Sequence, residues 1–531
     1  MNPSSNYSRR LFIKQMAAVG TLASLPACCT ISNLKCPKLG SEVLVIDPHC
    51  HIFNGRDLDI YNYVIADVPA PLHFTLPVVY SITETIRVIA PSAEDETVLL
   101  DGWLADAKSF KSDRAAFQSY LRAQIHEVRQ RQKEKRDNYL NSPQAIQSFM
   151  GHKRKLLQME GKHNSAEIEA EAKKHADKVL KAFQSPAVWA FLEGFWHHRI
   201  VNAQRLMDDY PMVSLFTPSM MDTDSWFRHR LLQPSIKSTA LAAQVDIYEK
   251  IAILTNGRFL PFLAFDPRRQ VEWKPGNLDQ PMSPRMLMED CLQRGMFVGL
   301  KLYPPMGYRP ADNVARDSCP PNTDWQAHLG EKMDQELNST FDRCVQTCFC
   351  VMAHANESRF SDPSYHDNGS PLYWGKALEA HPNLMLNLAH FGGMTPKDDK
   401  HHWREGFSQL MAKYCGVYAD VADFIEIDCR RSRDAYFKAL KKWMVDNPGS
   451  PLLNRLMYGS DFYMNGLVQG YKKYANNWIS AFQEQFPAQW ENLVGGNAVD
   501  FLGLRKGKQR ERLNRFIAYN QLSPEWTKLV T

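Results

Sequence analysis

Short apolar runs recur along the chain, and most of them close on a polar, glycine or proline turn. The first is Val43 to Ile46, followed by Asp47-Pro48-His49-Cys50-His51. From about residue 210 come Met212 to Phe216, Phe259 to Phe265, Phe297 to Tyr303, Cys348 to Ala353, Leu384 to Ala389, Gly416 to Val421 and Leu456 to Gly459. Between the later runs apolar positions return with helical spacing. Strand alternating with helix predicts an α/β fold with a parallel sheet, and eight such units predict a (β/α)8 TIM barrel.

Residues 55–209 break this rhythm. The stretch from Phe110 to Phe183 is helical in pattern and dense in charge, which predicts a large helical insertion after the first strand. A loop after a barrel strand opens on the catalytic face, so this insertion is expected to cap the pocket. Its basic cluster Arg129, Arg131, Lys133, Lys135 and Arg136, interleaved with Glu127 and Glu134, reads as a solvated helix face. A second insertion, rich in Pro, Asp and Asn, is expected from Pro304 to about Asn338. The expected organisation is a barrel from 40–54 and 210–505, the insertion at 55–209, and a polar helical tail at 506–531.

The N-terminus changes the picture of the compartment. Ser8-Arg9-Arg10-Leu11-Phe12-Ile13-Lys14, with an apolar segment from Met16 to Pro26, resembles a twin-arginine export signal over residues 1–30. Leu25-Pro26-Ala27-Cys28 resembles a lipoprotein cleavage box, with Cys28 as the lipidated residue and Pro26 a departure from the usual pattern. The expected location is therefore the periplasm, free or lipid-anchored, with the twin-arginine machinery as a partner. Cys28 is the sole expected link to a membrane. The formal net charge of +5 over 531 residues is mild and makes no case for nucleic acid. The eleven cysteines are scattered, and most read as buried thiols.

The chemistry lies at the strand ends. His49 and His51 stand two apart on a strand end, so both imidazoles can reach one ion. His354 closes Val351-Met352-Ala353 and is the natural third ligand. Asp461, in Gly459-Ser460-Asp461, ends the eighth strand, which neighbours the first once a barrel closes. Its carboxylate can join the ion or take a proton from a bound water. His390, in Leu388-Ala389-His390-Phe391-Gly392-Gly393, suits a catalytic position facing the substrate better than a ligand position. Lys301, inside Gly299-Leu300-Lys301-Leu302-Tyr303, needs a partner. It holds a substrate carboxylate, pairs with an internal acid, or is carboxylated to bridge two metals. Tyr303 stands beside it as a second substrate-binding candidate. Asp47 is read as a partner of a histidine or a shaper of the turn, and Arg268, Arg269 and Glu357 as rim residues.

Taken together, Ile46 to His51, Gly299 to Pro305, Met352-Ala353-His354, Asn387 to Gly393 and Tyr458 to Asp461 resemble the amidohydrolase superfamily. Within it they are most similar to the amidohydrolase-related group of aminocarboxymuconate-semialdehyde decarboxylase-like enzymes. Gly495-Gly496-Asn497-Ala498 with Leu502-Gly503-Leu504 is similar to the usual ending of the last barrel helix. The resemblance implies one divalent metal ion, commonly zinc, held by His49, His51, His354 and Asp461, with His390 catalytic. It implies a small-molecule substrate and either hydrolysis of an ester, lactone or amide, or non-oxidative decarboxylation of an unsaturated or aromatic acid. The insertion and the export signal favour hydrolysis. A non-catalytic exported binding protein on the same scaffold is the alternative from another class. The sequence leaves substrate and homo-oligomerisation open.

Overall fold

The computed structural model describes residues 42–60, 62, 76–110, 113–159, 161–183, 192–225, 238–321, 323, 325–356, 363–393, 403–462 and 471–530. The segment expected as an export signal, Cys28 and Glu357 lie outside them. The fold is mixed α/β with parallel strands. β1 is Ile46–Cys50, β2 Leu215–Pro218, β3 Phe262–Ala264, β4 Gly299–Leu302, β5 Cys350–His354, β6 Leu386–Ala389, β7 Val417–Asp420 and β8 Leu456–Met457. β1 pairs with β2, and β3 to β8 form one six-stranded sheet in chain order. Single parallel bridges join the two sets at Phe216–Phe259, Ser219–Phe262 and Cys50–Phe462.

Each strand is buried along almost its whole length, as expected where helices cover a parallel sheet. β1 starts later than the apolar run implies, so His49 is inside the strand and His51 is the first residue beyond it. The β1–β2 register shifts between Asp47 and Cys50. Gly495 makes room below the sheet, because a Cβ there would stand 1.9 Å from Leu44 O.

Between β1 and β2 the described chain is helical: α1 Leu76–Ile89, α2 Ala93–Ala107, α3 Arg114–Leu140, α4 Pro143–Met159, α5 Ser165–Phe183 and α6 Arg199–Asp209. A capping box starts α2, with Ser92 Oγ accepting from Asp95 N–H and Asp95 Oδ2 accepting from Ser92 N–H. α3 buries Phe117, Leu121, Ile125, Val128, Gln132, Arg136 and Leu140, a stripe at three- and four-residue spacing. The basic cluster faces outward, with one exception. Arg136 is buried in that stripe and stands over the Trp196 ring at 5.9 Å.

Two expectations need correcting. The second insertion, expected to run to about Asn338, ends sooner, because the helix Leu329–Thr347 begins inside it. The helix's cap comes from a distance, with the Asp317 carboxylate accepting from Gly330 and Glu331 N–H at 2.8 and 2.9 Å, so no local cap marks it. The tail is not simply polar. The helix Lys508–Tyr519 buries Leu513 and Phe516, and Trp526, fully buried, donates from Nε1 to Gly257 O at 2.9 Å. Among the described residues no helix is long and apolar enough to cross a membrane.

The helical segment between β1 and β2 has a polar centre of its own. Ser81 Oγ lies 3.1 Å from His175 Nε2 and 3.4 Å from His152 Nδ1, joining α1, α4 and α5. Burial, helped by nearby Lys153, lowers the His175 pKa from 6.5 to about 4. The unfolded chain takes up this proton near pH 6.5, the folded chain only near 4. Stability from the neutral ring is full above 6.5 and is lost as pH falls through that window. The unfolding midpoint is expected to drop between pH 6.5 and 4, and His175→Gln to flatten the drop. A variant with the same pH profile as the parent would overturn this.

Candidate metal centre

The two histidines of the first strand are held by the nitrogens that face away from the site. His49 Nδ1 lies 3.2 and 3.1 Å from the two oxygens of Asp420, and His51 Nδ1 lies 2.9 Å from Ser219 O. Carboxylate and carbonyl oxygens only accept, so each Nδ1 carries the hydrogen and each Nε2 presents its lone pair. Both lone pairs face Asp461, with Oδ1 at 3.6 Å from His49 Nε2 and 3.2 Å from His51 Nε2. His49, His51 and Asp461 thus offer three ligand atoms within 4.8 Å of one another, all buried. Two imidazole nitrogens and a carboxylate oxygen suit zinc or a first-row neighbour. Burial alone would raise the Asp461 carboxyl, but the imidazoles of His51, His49 and His390 around it hold it well below the usual carboxylate range.

Backbone hydrogen bonds bring β8 to β1. Asp461 has φ +48°, outside the usual range for such a residue, and its N–H donates to His49 O at 2.8 Å. Ser460 donates to Asp47 from its backbone N–H at 3.1 Å and from Oγ at 2.5 Å. Asp47 also accepts from His49 N–H at 3.2 Å. Its role is to staple two strand ends together, with no contact to a histidine ring. Burial lifts its carboxyl to about 7 against these hydrogen bonds.

Asp420 escaped the sequence reading. It closes β7, and besides His49 it accepts from Asn387 Nδ2 at 2.7 Å, His390 N–H at 3.1 Å and Ala422 N–H at 3.1 Å. The available signal was position, since it is the acidic residue closing the seventh apolar run where other strands carry their chemistry. Ser219, from the turn after β2, contributes by its carbonyl, which no side-chain motif announces.

His390 is buried beside the cluster, its ring 4.8 Å from those of His49 and His354. It has φ +68°, and positive φ continues through Phe391, Gly392 and Gly393. The glycines therefore serve the turn that carries His390 N–H to Asp420. Its Nδ1 faces Ala422 O at 3.2 Å and so carries the hydrogen, leaving Nε2 as an acceptor. Burial, reinforced by His49, lowers its pKa to about 4, which keeps the imidazole neutral. His354 is half-buried and stacks on Tyr303 at 6.0 Å. It stands beside His390, outside the cluster of ligand atoms formed by His49, His51 and Asp461.

Lys301 Nζ reaches His49 Nε2 at 3.0 Å and Met352 Sδ at 3.2 Å. Burial lowers its pKa to about 8, while Asp420 and Asp461 act in the opposite direction. Lys301 would compete with an ion for the lone pair on His49 Nε2. Tyr303 sends its hydroxyl to Met221 Sδ at 2.8 Å. Arg269 forks onto Asp222 at 2.6 Å and reaches Asp224 at 2.7 Å, and Arg268 donates to Glu272 at 2.8 Å. These two arginines are engaged in ion pairs within the wall.

In Asp420→Asn one oxygen becomes an amide NH2 that cannot accept, so His49 Nδ1 or Asn387 loses its acceptor. Zinc affinity is expected to fall about 10- to 100-fold, the range for a partner behind a metal ligand. Calorimetric titration checks it, and undiminished affinity would refute the role given to Asp420.

The chain is similar to several solved structures. One is an uncharacterised TIM-barrel protein from Bordetella bronchiseptica, 12% identical over 56% of this chain and 82% of that one, with a TM-score of 0.35. Another is an amidohydrolase from Burkholderia multivorans with bound zinc, 12% identical over 59% and 92%, TM-score 0.36. A third is the IDCase of Metarhizium anisopliae in its apo form, 14% identical over 58% and 79%, TM-score 0.34. At these scores the likenesses carry no argument. No curated protein matches the chain. Residues 287–504, which span β4 to β8 with Lys301, His354, His390, Asp420 and Asp461, match the amidohydrolase family model, and this match supports an enzyme of the metal-dependent hydrolase type.

Proposed function

We propose that this chain is an exported hydrolase that uses one divalent ion, zinc by the type of its donors, to cleave an ester, lactone or amide bond in a small-molecule substrate. The observation that carries this reading is the convergence of the His49 and His51 Nε2 atoms on Asp461, with each Nδ1 already engaged. His354, which stands beside His390 outside this cluster, is the fourth ligand this reading assigns, on the side of β5. When bound, the ion supplies a Lewis acid that polarises a carbonyl and lowers the pKa of a water towards about 7.

The chain's own residues do the rest. Asp461 and His390 are the two proton acceptors at the site, Asp461 as a carboxylate and His390 through its neutral Nε2. His390 also orients the substrate oxygen. Lys301 and Tyr303 form the substrate-binding side. The eight strands are read as one closed (β/α)8 barrel, the insertion as a wall of its catalytic face, and residues 1–30 as a twin-arginine signal. The protein then works in the periplasm, free or anchored through Cys28.

One observation favours a second reading on the same residues. The Lys301 amine lies buried at the site, where a substrate carboxylate would pair with it. An acid substrate opens the way to a lyase that releases carbon dioxide. Carbon dioxide formation dependent on an aromatic or unsaturated acid would select it over hydrolysis.

His49→Ala and His354→Ala are each expected to lose the ion and the activity together. His390→Ala is expected to keep the ion and lose about 10²- to 10⁴-fold in turnover, the usual weight of a general acid or base. Elemental analysis beside ester, lactone and amide assays separates the two outcomes. Full turnover by metal-free protein would end the hydrolase reading.

A further inference from the structure

The chain that follows His51 is held by the insertion at most of its polar groups. Gly55 N–H donates to Phe195 O at 2.6 Å, and Asn202 Nδ2 donates to Phe53 O at 3.2 Å. Asn54 Nδ2 donates to Glu96 Oε1 at 2.7 Å. Arg199, the first residue of α6, is fully buried and closes the arrangement. Its Nε donates to Asp57 Oδ2 at 3.1 Å, and its backbone N–H to Glu96 Oε2 at 2.7 Å. Its two terminal nitrogens fork, one onto Asp57 Oδ1 and the other onto Glu96 Oε1. Asp57 Oδ2 also accepts from Asn54 N–H at 3.0 Å, which cross-links the loop to itself.

The location gives this clamp its meaning. His51 lies one residue beyond β1, where the strand ladder no longer holds the backbone. Two supports remain, Ser219 O on its ring and the loop that follows it. The Phe53 ring bridges the two regions, 6.0 Å from the His51 ring and 5.5 Å from that of Phe195. A guanidinium bonded to two carboxylates at fixed angles is a stiff joint, because its donors are coplanar.

We propose that Arg199 is a positioning residue for the metal centre, fixing through Asp57, Asn54 and Phe53 the direction in which His51 presents its Nε2. The inference rests on the metal-site reading above and deepens it. It makes the insertion part of the scaffold of the site, joined to it rigidly by buried charge.

The test is cobalt(II) titrated into the metal-free protein, which reads affinity and, in the visible absorption, coordination geometry. Arg199→Lys keeps the charge and removes the fork. It is expected to weaken cobalt binding about tenfold or more, as loss of an outer support does, and to change the absorption band while the protein stays folded by circular dichroism. Phe149→Leu is a buried change in α4, which packs on α5 and α1, and it controls for general loosening of the insertion. It is expected to bind cobalt like the parent. Parental affinity and spectrum in Arg199→Lys would overturn the proposal, as would equal weakening in both variants. A parent protein that binds no cobalt would instead remove the metal-site reading, and this inference with it.

Discussion

The carboxylate of Asp420 is the interaction on which the site depends. Four donors from three segments meet on it: the His49 ring, the Asn387 amide, and the backbone N–H groups of His390 and Ala422. Together they hold the carboxyl well below its usual range against the penalty of complete burial. Hydrogen bonds to a charged group contribute about 1.5–3 kcal/mol each, so the set outweighs the cost of burying one charge. One residue thereby fixes the tautomer of His49 and the turn that carries His390. Position and protonation at the site are set by the same atom pair.

The backbone around the site shows where that interaction is needed. His390, Phe391 and Asp461 all have positive φ, which costs of order 1 kcal/mol or more at each such residue. Those at His390 and Asp461 are accompanied by a hydrogen bond from the residue's own N–H, to Asp420 and to His49 O respectively. Two of these three residues carry assigned chemistry, and among the described residues the strands themselves hold no positive φ.

Much of this was legible in the sequence, for physical reasons. A buried parallel strand is mostly apolar, so eight were visible as runs, although their ends moved by a few residues. His49, His51 and Asp461 were legible because strand spacing and the order of strands place them together. Asp420 was not, because a lone acid after an apolar run looks like any turn residue until its partners are known. Lys301 could be seen to need a partner, and of the three considered the metal-bridging carboxylated form ranked lowest, yet it contacts the ring nitrogen of His49. Arg199 was hidden for a further reason. Asp57, Glu96 and Arg199 are distant in sequence, and a buried ion cluster follows no periodicity. The docked tail was misread because Trp526 and Leu513 are sparse among charges.

The joint between β1 and β8 also sets an order of events during synthesis. His49 and His51 leave the ribosome about four hundred residues before Asp461. At elongation rates of about 5–20 residues per second that interval is on the order of half a minute. Through it Asp47 lacks Ser460, and the carbonyl of His49 lacks the amide of Asp461. The nascent chain therefore carries half a staple until Ser460 and Asp461 have been made. Closure of this centre waits on β8.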